Sequence, residues 1–126
     1  VVAYLRQRAE FLQSRGVHKI ILDPGFGFAK SLDQNFELLS QLRLLSDLGC
    51  PLLSALSRKS MIYKTLDTTP QSALTGTVAL NWESLRQGAT LLRVHDVREA
   101  VEVVKLYEKF KQNDKGEGYS QVIRNA

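Results

Sequence analysis

The feature that most constrains the fold of this chain is an apolar run that ends in an acid and a glycine-rich turn. The run Ile20-Ile21-Leu22 is typical of a buried β-strand that is covered on both faces. Asp23 follows it, and Pro24-Gly25-Phe26-Gly27-Phe28 then turns the backbone out of strand geometry. The strand predicted over residues 18–23 therefore carries Asp23 at its carboxyl end, where parallel α/β proteins bind their ligands.

Two further segments repeat this order of apolar strand and polar tip. A strand predicted over residues 52–56 leads into Ser57-Arg58-Lys59-Ser60, and one over residues 90–94 leads into His95-Asp96. Helices are predicted before, between and after the three strands, over residues 1–15, 31–48, 61–66, 70–87 and 97–112. Connections this short join parallel neighbours through right-handed crossovers, so the three strand tips are expected at one edge of a sheet.

Capping patterns mark the starts of three of these helices. Ser31 and Gln34 have the spacing of a capping box, and Asp96 with Glu99 repeats it before the last helix. Pro70 is expected at the first position of its helix, behind Thr69 as N-cap.

The last helix carries two apolar stripes. One consists of Val97, Ala100, Val101, Val104 and Tyr107, and the other of Val103, Leu106 and Phe110. We expect the first stripe to pack on the sheet and the second to meet a neighbouring helix or another subunit.

Composition narrows the possible functions. A chain of 126 residues forms one modest core, and no apolar run approaches the roughly 20 residues of a membrane helix. The net charge of +4 comes without a nucleic-acid-binding motif, which disfavours nucleic acid and suits a small anionic substrate. The single cysteine, Cys50, and the absence of a signal-peptide pattern predict a cytoplasmic protein.

The three tips carry complementary chemistry. Asp23 offers a carboxylate that accepts N–H donors from a planar heterocycle, or that caps its own turn. Arg58 and Lys59 either bind an anion beside two serine hydroxyls, or begin a solvated loop whose serines cap the next helix. Arg93 and His95 point the same way on an extended chain and suit a phosphate or diphosphate. Together the tips predict a site for an anion and a heterocycle.

The motifs at residues 23–28, 57–60 and 93–96 together resemble those of dihydropteroate synthase, the sulfonamide target of folate biosynthesis. The resemblance runs from residue 1 to about residue 112 and concerns the last three strands of that TIM (β/α)₈ barrel. It implies an α/β fold, the C-terminal portion of such a barrel with about three parallel strands alternating with helices. Residues 113–126 are expected to form a disordered polar tail.

The resemblance implies a transferase that condenses 6-hydroxymethyl-7,8-dihydropterin diphosphate with p-aminobenzoate, with Mg²⁺ assistance. Asp23, Lys59 and Arg93 are then the expected catalytic residues. The expected substrate-binding residues are Asp23, Gly27, Phe28, Arg58, Lys59, Ser60, Arg93 and His95. Asp23 and Lys59 would hold the pterin, Ser60 and Phe28 the benzoate, and Arg93 with His95 the departing diphosphate. No metal ligand is expected from this chain, since Mg²⁺ would be held by the earlier strands or through the diphosphate.

The resemblance also implies a homodimer through the last helices, and an inactive isolated chain because the earlier barrel strands are absent. One alternative is a non-catalytic half-barrel module that pairs with another chain. A second is the pterin-binding domain of a methyltetrahydrofolate methyltransferase, where the motifs at residues 57–60 and 93–96 are not expected together. A third is a nucleotide-binding α/β enzyme, which the missing G-x-G-x-x-G spacing disfavours.

Overall fold

The computed structural model of the protein describes residues 1–114, and residues 115–126, on which most of the predicted tail falls, lie outside it. The elements alternate along the chain as helices and short parallel strands. The helices are α1 (Val2–Ser14), α2 (Leu32–Ser40), α3 (Leu42–Ser46), α4 (Ser60–Tyr63), α5 (Leu74–Arg86) and α6 (Val97–Asn113), with a 3₁₀ turn at Pro70–Ser72. The strands are β1 (Leu53–Ser54) and β2 (Leu91–Leu92).

Three extended segments run parallel, as predicted. β1 pairs in parallel with β2, with Leu53 opposite Leu91 and Ser54 opposite Leu92. On the other side Leu22 forms a parallel bridge to Leu52, with its N–H donating to the carbonyl of Pro51 at 2.9 Å. The second segment thus lies in the middle, and all three carboxyl ends lie at one edge.

The strands are shorter and more exposed than predicted. Regular pairing within residues 18–23 is confined to Leu22, and the other two strands are two residues each. Leu22 and Leu52 are buried, whereas Ile21 is 58% exposed and Leu91 is 42% exposed. The prediction of burial on both faces is therefore wrong for the first and third segments, where the helices cover one face and leave alternate side chains open. It is confirmed for residues 52–56, which are buried except for the half-buried Leu53.

The core lies between the helices and the covered face of the parallel segments. Its members come from the first segment and its turn, from α1 to α4 and from the middle segment. The largest apolar side chains within it are almost fully buried: Phe26, Leu42, Leu45, Leu52, Leu56 and Met61. Each such side chain contributes roughly 1.5–3 kcal/mol through the hydrophobic effect, so Phe26 anchors the glycine-rich turn to the core.

The helix predicted over residues 31–48 begins as expected and then breaks. Ser31 forms the capping box, with the Gln34 N–H donating to Ser31 Oγ at 3.1 Å and the Ser31 N–H donating to Gln34 Oε1 at 2.8 Å. The break at Gln41 separates α2 from α3. The N–H of Arg43 there donates to the side-chain oxygen of Gln87 at 3.0 Å, so a tertiary contact replaces a helical bond.

Two predicted helix starts differ in the structure. Pro70 opens the 3₁₀ turn behind Thr69, and α5 begins only at Leu74. The short helix expected over residues 61–66 forms as α4, which begins at Ser60 and ends at Tyr63. Carbonyls of the 3₁₀ turn accept hydrogen bonds from Arg58, which accounts for the delayed start of α5.

The last helix packs mainly on α5 rather than on the sheet. Its inward face combines members of both predicted stripes, and Val97 and Val101 of the first stripe are exposed. The inward positions are Ala100, Val103, Val104 and Tyr107. Trp82 of α5 meets Tyr107 edge-on at 5.3 Å between ring centroids. The expectation that the first stripe packs on the sheet is therefore wrong, whereas the second stripe meets a neighbouring helix as expected, since the Phe110 ring lies 5.6 Å from that of Trp82. No helix within residues 1–114 is long and apolar enough to cross a membrane.

Candidate functional site

A cleft of about 460 Å³ lies at the carboxyl ends of the three parallel segments. Its lining contains five of the predicted site residues together with three others. The lining residues are Asp23, Phe28, Ala55, Ser57, Lys59, Arg93, Val94 and His95. A larger groove of about 660 Å³ lies between β2 and α6, but its walls are mainly apolar. The convergence of an acid, two cations and an imidazole makes the smaller cleft the candidate site.

Asp23 caps its own turn, one of its two predicted roles, through one carboxylate oxygen. Its Oδ1 accepts the N–H of Gly25 at 2.9 Å, which is the local turn that an aspartate at this position favours. The turn needs glycine at two positions, since Gly25 has φ +73° and Gly27 has φ +90°. The second oxygen has no hydrogen bond within the described residues, and the side chain is exposed. It is therefore open to a ligand.

Lys59 reaches across from the middle tip to the glycine-rich turn. Its Nζ donates to the carbonyl of Phe26 at 2.6 Å and lies 5.3 Å from the centroid of the Phe28 ring. A Cβ on Gly27 would lie 3.5 Å from Lys59 Cδ, so Gly27 borders the lysine stem without lining the cleft. Burial lowers the pKa of the Lys59 ammonium, and nearby Asp23 opposes that shift.

Two side chains that the sequence analysis did not single out hold the same turn. Lys30 Nζ donates to the carbonyl of Gly25 at 2.7 Å. Asn35 Oδ1 accepts the N–H of Gly27 at 2.8 Å, and its Nδ2 donates to the carbonyl of Ser31 at 3.1 Å. An asparagine inside a helix is locally unfavourable, so the presence of Asn35 within the predicted helix was a sequence signal that its side chain has a tertiary partner. In the structure Asn35 is 2% exposed.

Arg93 and His95 both border the cleft and both are exposed. Arg93 continues the pairing beyond β2, since its N–H donates to the carbonyl of Ser54 at 3.0 Å. An arginine that is buried within an apolar strand needs a partner, but the side chain of Arg93 is exposed to solvent and does not. Its guanidinium makes no hydrogen bond within residues 1–114 and is open to an anion.

The structure also joins Ser57 to His95, a pair that the sequence analysis missed. Ser57 Oγ lies 2.9 Å from His95 Nδ1 and accepts the His95 N–H at 3.2 Å. Neither Ser57 nor Ser60 caps α4, whose N-cap is Lys59. The two residues are 38 apart in the chain, so only the strand register brings them together.

Arg58 points away from the cleft and binds Asp96. Its Nε donates to Asp96 Oδ2 at 2.8 Å and its Nη2 donates to Oδ1 at 3.0 Å. Its Nη1 donates to the carbonyls of Pro70 and Gln71. Arg58 lowers the pKa of Asp96, mainly through these hydrogen bonds, and the same bonds raise the pKa of Arg58. The predicted Asp96–Glu99 capping box is wrong because the carboxylate of Asp96 is engaged by Arg58 instead.

Three predicted site residues thus do not line the cleft. Arg58 is bound into the scaffold, Ser60 begins α4, and Gly27 borders only the stem of Lys59. Among residues 1–114, no group of three or more histidine, cysteine, aspartate and glutamate side chains is arranged to hold a metal ion.

Comparison with known proteins gives a consistent result. The family model for pterin binding enzymes matches residues 1–95. The dihydropteroate synthase of Escherichia coli (strain K12) is 44% identical over 90 residues, which is 71% of this chain and 32% of that enzyme. The likeness to dihydropteroate synthase predicted from the motifs is confirmed, and this chain spans about a third of that relative's length.

Solved structures show the same likeness. Yersinia pestis dihydropteroate synthase with a pterine–sulfa conjugate has a TM-score of 0.84 at 38% identity, covering 89% of this chain and 45% of that chain. Xanthomonas albilineans dihydropteroate synthase with 4-aminobenzoic acid has a TM-score of 0.82 at 34% identity, covering 87% of this chain and 41% of that chain. The described fold is therefore similar to a part of these enzymes.

Proposed function

The chain belongs to the family of pterin binding enzymes, and we propose that it forms the pterin- and diphosphate-binding part of a dihydropteroate synthase. That activity joins 6-hydroxymethyl-7,8-dihydropterin diphosphate to p-aminobenzoate and yields 7,8-dihydropteroate and diphosphate. The observation that carries the proposal is the convergence of Asp23, Lys59, Arg93 and His95 on one cleft. Relatives solved with a pterine–sulfa conjugate and with 4-aminobenzoic acid support the two substrate classes.

We further propose that the three parallel segments are the last three strands of a (β/α)₈ barrel. Their exposed side chains support this, because Ile21 and Leu91 lie on the face opposite the helices. In such a barrel that face is filled by side chains from the other strands. The likeness to parts of larger enzymes supports the same arrangement.

In the proposed complex Asp23 and Lys59 bind the pterin. The oxygen of Asp23 that is free of the turn accepts an N–H from the heterocycle edge, and Gly25 fixes the direction of the carboxylate. Lys59 uses one N–H on Phe26 and has two left for acceptors on the ring. Burial lowers the pKa of this ammonium, and the proximity of Asp23 opposes that shift.

Arg93 and His95 bind the diphosphate and stabilise it as it leaves. The aniline nitrogen of p-aminobenzoate forms a C–N bond to the pterin methylene carbon and loses one proton. The methylene C–O bond breaks, and its electron pair leaves with the diphosphate. Neutralising this developing charge and positioning the two reactants lower the barrier, so no covalent intermediate on the protein is required.

The benzoate is proposed to lie beside Phe28, whose exposed ring borders the cleft. Ser60 follows Lys59 directly and is the proposed contact for the carboxylate. For Arg58 we propose a scaffold role in place of substrate binding, because its guanidinium is occupied by Asp96 and two carbonyls.

Mg²⁺ remains an expectation of the family resemblance. Since residues 1–114 contain no group of three or more histidine, cysteine, aspartate and glutamate side chains that could hold it, Mg²⁺ would be held through the diphosphate or by the earlier strands of the barrel. We likewise keep the cytoplasm as the predicted compartment.

We propose that a homodimer forms through the last helix. Exposed apolar side chains on α6 support this, since Leu106 is 66% exposed, and Phe110 is 52% exposed although its ring also lies 5.6 Å from that of Trp82 of α5. Burial of such side chains drives association. Leu106→Asp is expected to lower the solution mass measured by sedimentation, whereas Glu102→Asp, a charge-conserving change on an exposed position of α6, is expected to leave it unchanged.

A segment exchange with a relative tests the proposed activity. The matching part of the Escherichia coli enzyme, replaced by residues 1–112 of this chain, is expected to form dihydropteroate from the two substrates. The same chimera carrying Lys59→Ala serves as the disabled control, and the isolated chain is expected to give no turnover. A folded chimera without activity would contradict the proposal, as would equal activity with and without Lys59.

A further inference from the structure

Ser57 is a buried hydroxyl placed between two strand tips. It is only 4% exposed although it borders the cleft, so its donor and acceptors depend on hydrogen bonds within the protein. Within the described residues its only hydrogen-bond partners are the backbone N–H and the ring Nδ1 of His95. The backbone N–H of His95 can only donate, so Ser57 Oγ is the acceptor in that bond.

The remaining bond decides where the ring proton of neutral His95 lies. If the Ser57 O–H donates to Nδ1, all three groups are satisfied and the ring proton is on Nε2. If Nδ1–H donates to Ser57 Oγ, that oxygen accepts twice and its own proton has no acceptor among residues 1–114. A buried donor without a partner is unfavourable, so the first arrangement is favoured.

A second contact holds this pair in place. Ser57 and His95 are 38 residues apart, as are Arg58 and Asp96. The same offset relates Leu53 to Leu91 in the strand register. The two side-chain bonds therefore continue the parallel pairing past the ends of β1 and β2, and the bidentate Arg58–Asp96 ion pair resists rotation of the tips.

We propose that Ser57 is a positioning residue that keeps His95 in its Nε2–H tautomer, with Nε2 available as a donor to an anionic oxygen. Nε2 has no hydrogen bond within the described residues, and His95 borders the cleft. That the anion is the diphosphate of the pterin substrate rests on the proposed function. The tautomer itself is a property of this chain and does not depend on that function.

The test is the nitrogen spectrum of ¹⁵N-histidine-labelled protein at a pH of about 8.5, where free imidazole is neutral. The chain has two histidines, so His18→Gln identifies the signals of His95. We expect an Nε2–H pattern in the unaltered chain. In Ser57→Ala the ratio of Nδ1–H to Nε2–H should rise about 2- to 10-fold, as the loss of one ordinary hydrogen bond predicts.

Matched variants separate this effect from a general loss of packing. Ser84→Ala removes another buried hydroxyl, which lies outside the cleft and forms a 2.8 Å hydrogen bond with Ser54 Oγ. This change should leave the tautomer of His95 unchanged. Ser57→Thr keeps a hydroxyl and should restore the pattern of the unaltered chain. A dominant Nδ1–H form in the unaltered chain overturns the proposal even if Ser57→Ala does not fold, and an unchanged ratio in folded Ser57→Ala overturns it as well.

Titration with inorganic pyrophosphate addresses the proposed function separately. A shift of the His95 Nε2 signal supports the anion site. The expected tautomer without any shift would contradict the diphosphate role of His95 and leave the assignment to Ser57 supported.

Discussion

The two sides of the cleft are held together in different ways. The glycine loop, residues 23–28, is held by bonds from its own chain neighbourhood and by Lys59. The paired tips, residues 57–58 and 95–96, are held by side chains that meet across 38 residues of sequence. The glycine loop presents its functional groups on an exposed turn, whereas side-chain hydrogen bonds that continue the strand pairing hold the groups of the paired tips.

One site thus combines a turn fixed by local contacts with strand ends fixed by long-range contacts. The loop requires positive φ at Gly25 and Gly27, and it stays in place because Phe26 is buried beneath it. The tips require a correct parallel register before any of their contacts can form. Lys59 directly follows the paired tips and bonds Phe26 of the glycine loop, so it links the two.

The largest expected effect comes from the anchor of the glycine loop. Phe26→Ala removes an almost fully buried ring and should lower the free energy of unfolding by about 3–5 kcal/mol in urea titration. Phe28→Ala is the matched control in the same loop. Its ring is 73% exposed, so stability should change by less than about 0.5 kcal/mol. Similar losses from both would show that the loop is not anchored by Phe26.

The link between the two regions should matter for ligand binding. In the Escherichia coli chimera, Lys59→Ala should weaken pterin binding by roughly 1.5–3 kcal/mol, because a charge-assisted hydrogen bond is lost. Calorimetric titration measures this. Lys64→Ala, at an exposed position after α4, should leave the affinity unaltered. Unchanged affinity in Lys59→Ala would remove the lysine from the pterin site.

A smaller loss of stability is expected at the start of α2, the helix that carries Asn35 and so supports the glycine loop. Ser31→Ala removes the capping box of this helix and should lower the free energy of unfolding by about 1 kcal/mol. Ser40→Ala, at the exposed other end of α2, should change it by less than about 0.5 kcal/mol. Chemical or thermal unfolding compares the two, and equal losses would mean that the cap does not stabilise this support.

The smallest effect, and the one specific to the paired tips, is pH-dependent. Arg58 holds the pKa of Asp96 below its ordinary value of 3.8 in the folded chain. The unfolded chain therefore binds its proton first as the pH falls, so the stability from this pair is present above that value and disappears below it.

The free energy of unfolding of the unaltered chain should consequently exceed that of Asp96→Asn at neutral pH. The two free energies should converge well below pH 3.8. High salt should also reduce the difference, because both side chains are partly exposed. A difference that stays constant with pH would mean that the ion pair does not stabilise the tips.

Much of the glycine loop could be predicted from the sequence. Asp23, Pro24 and the two glycines define a turn through local backbone preferences, and Ser31 with Gln34 defines the start of α2 in the same way. The grouping of Asp23, Lys59, Arg93 and His95 could be predicted because parallel strands bring their carboxyl ends to one edge. These inferences need only neighbouring residues and the direction of each strand.

The tertiary structure alone decided the partners of the paired tips. Asp96 had the local signature of a helix cap, yet it binds Arg58, because the strand register brings a guanidinium to it. Ser57 had the signature of a helix start, yet it bonds His95 for the same reason. Local sequence sets what each side chain favours among its neighbours, but a contact across 38 residues exists only once the sheet has brought both ends together.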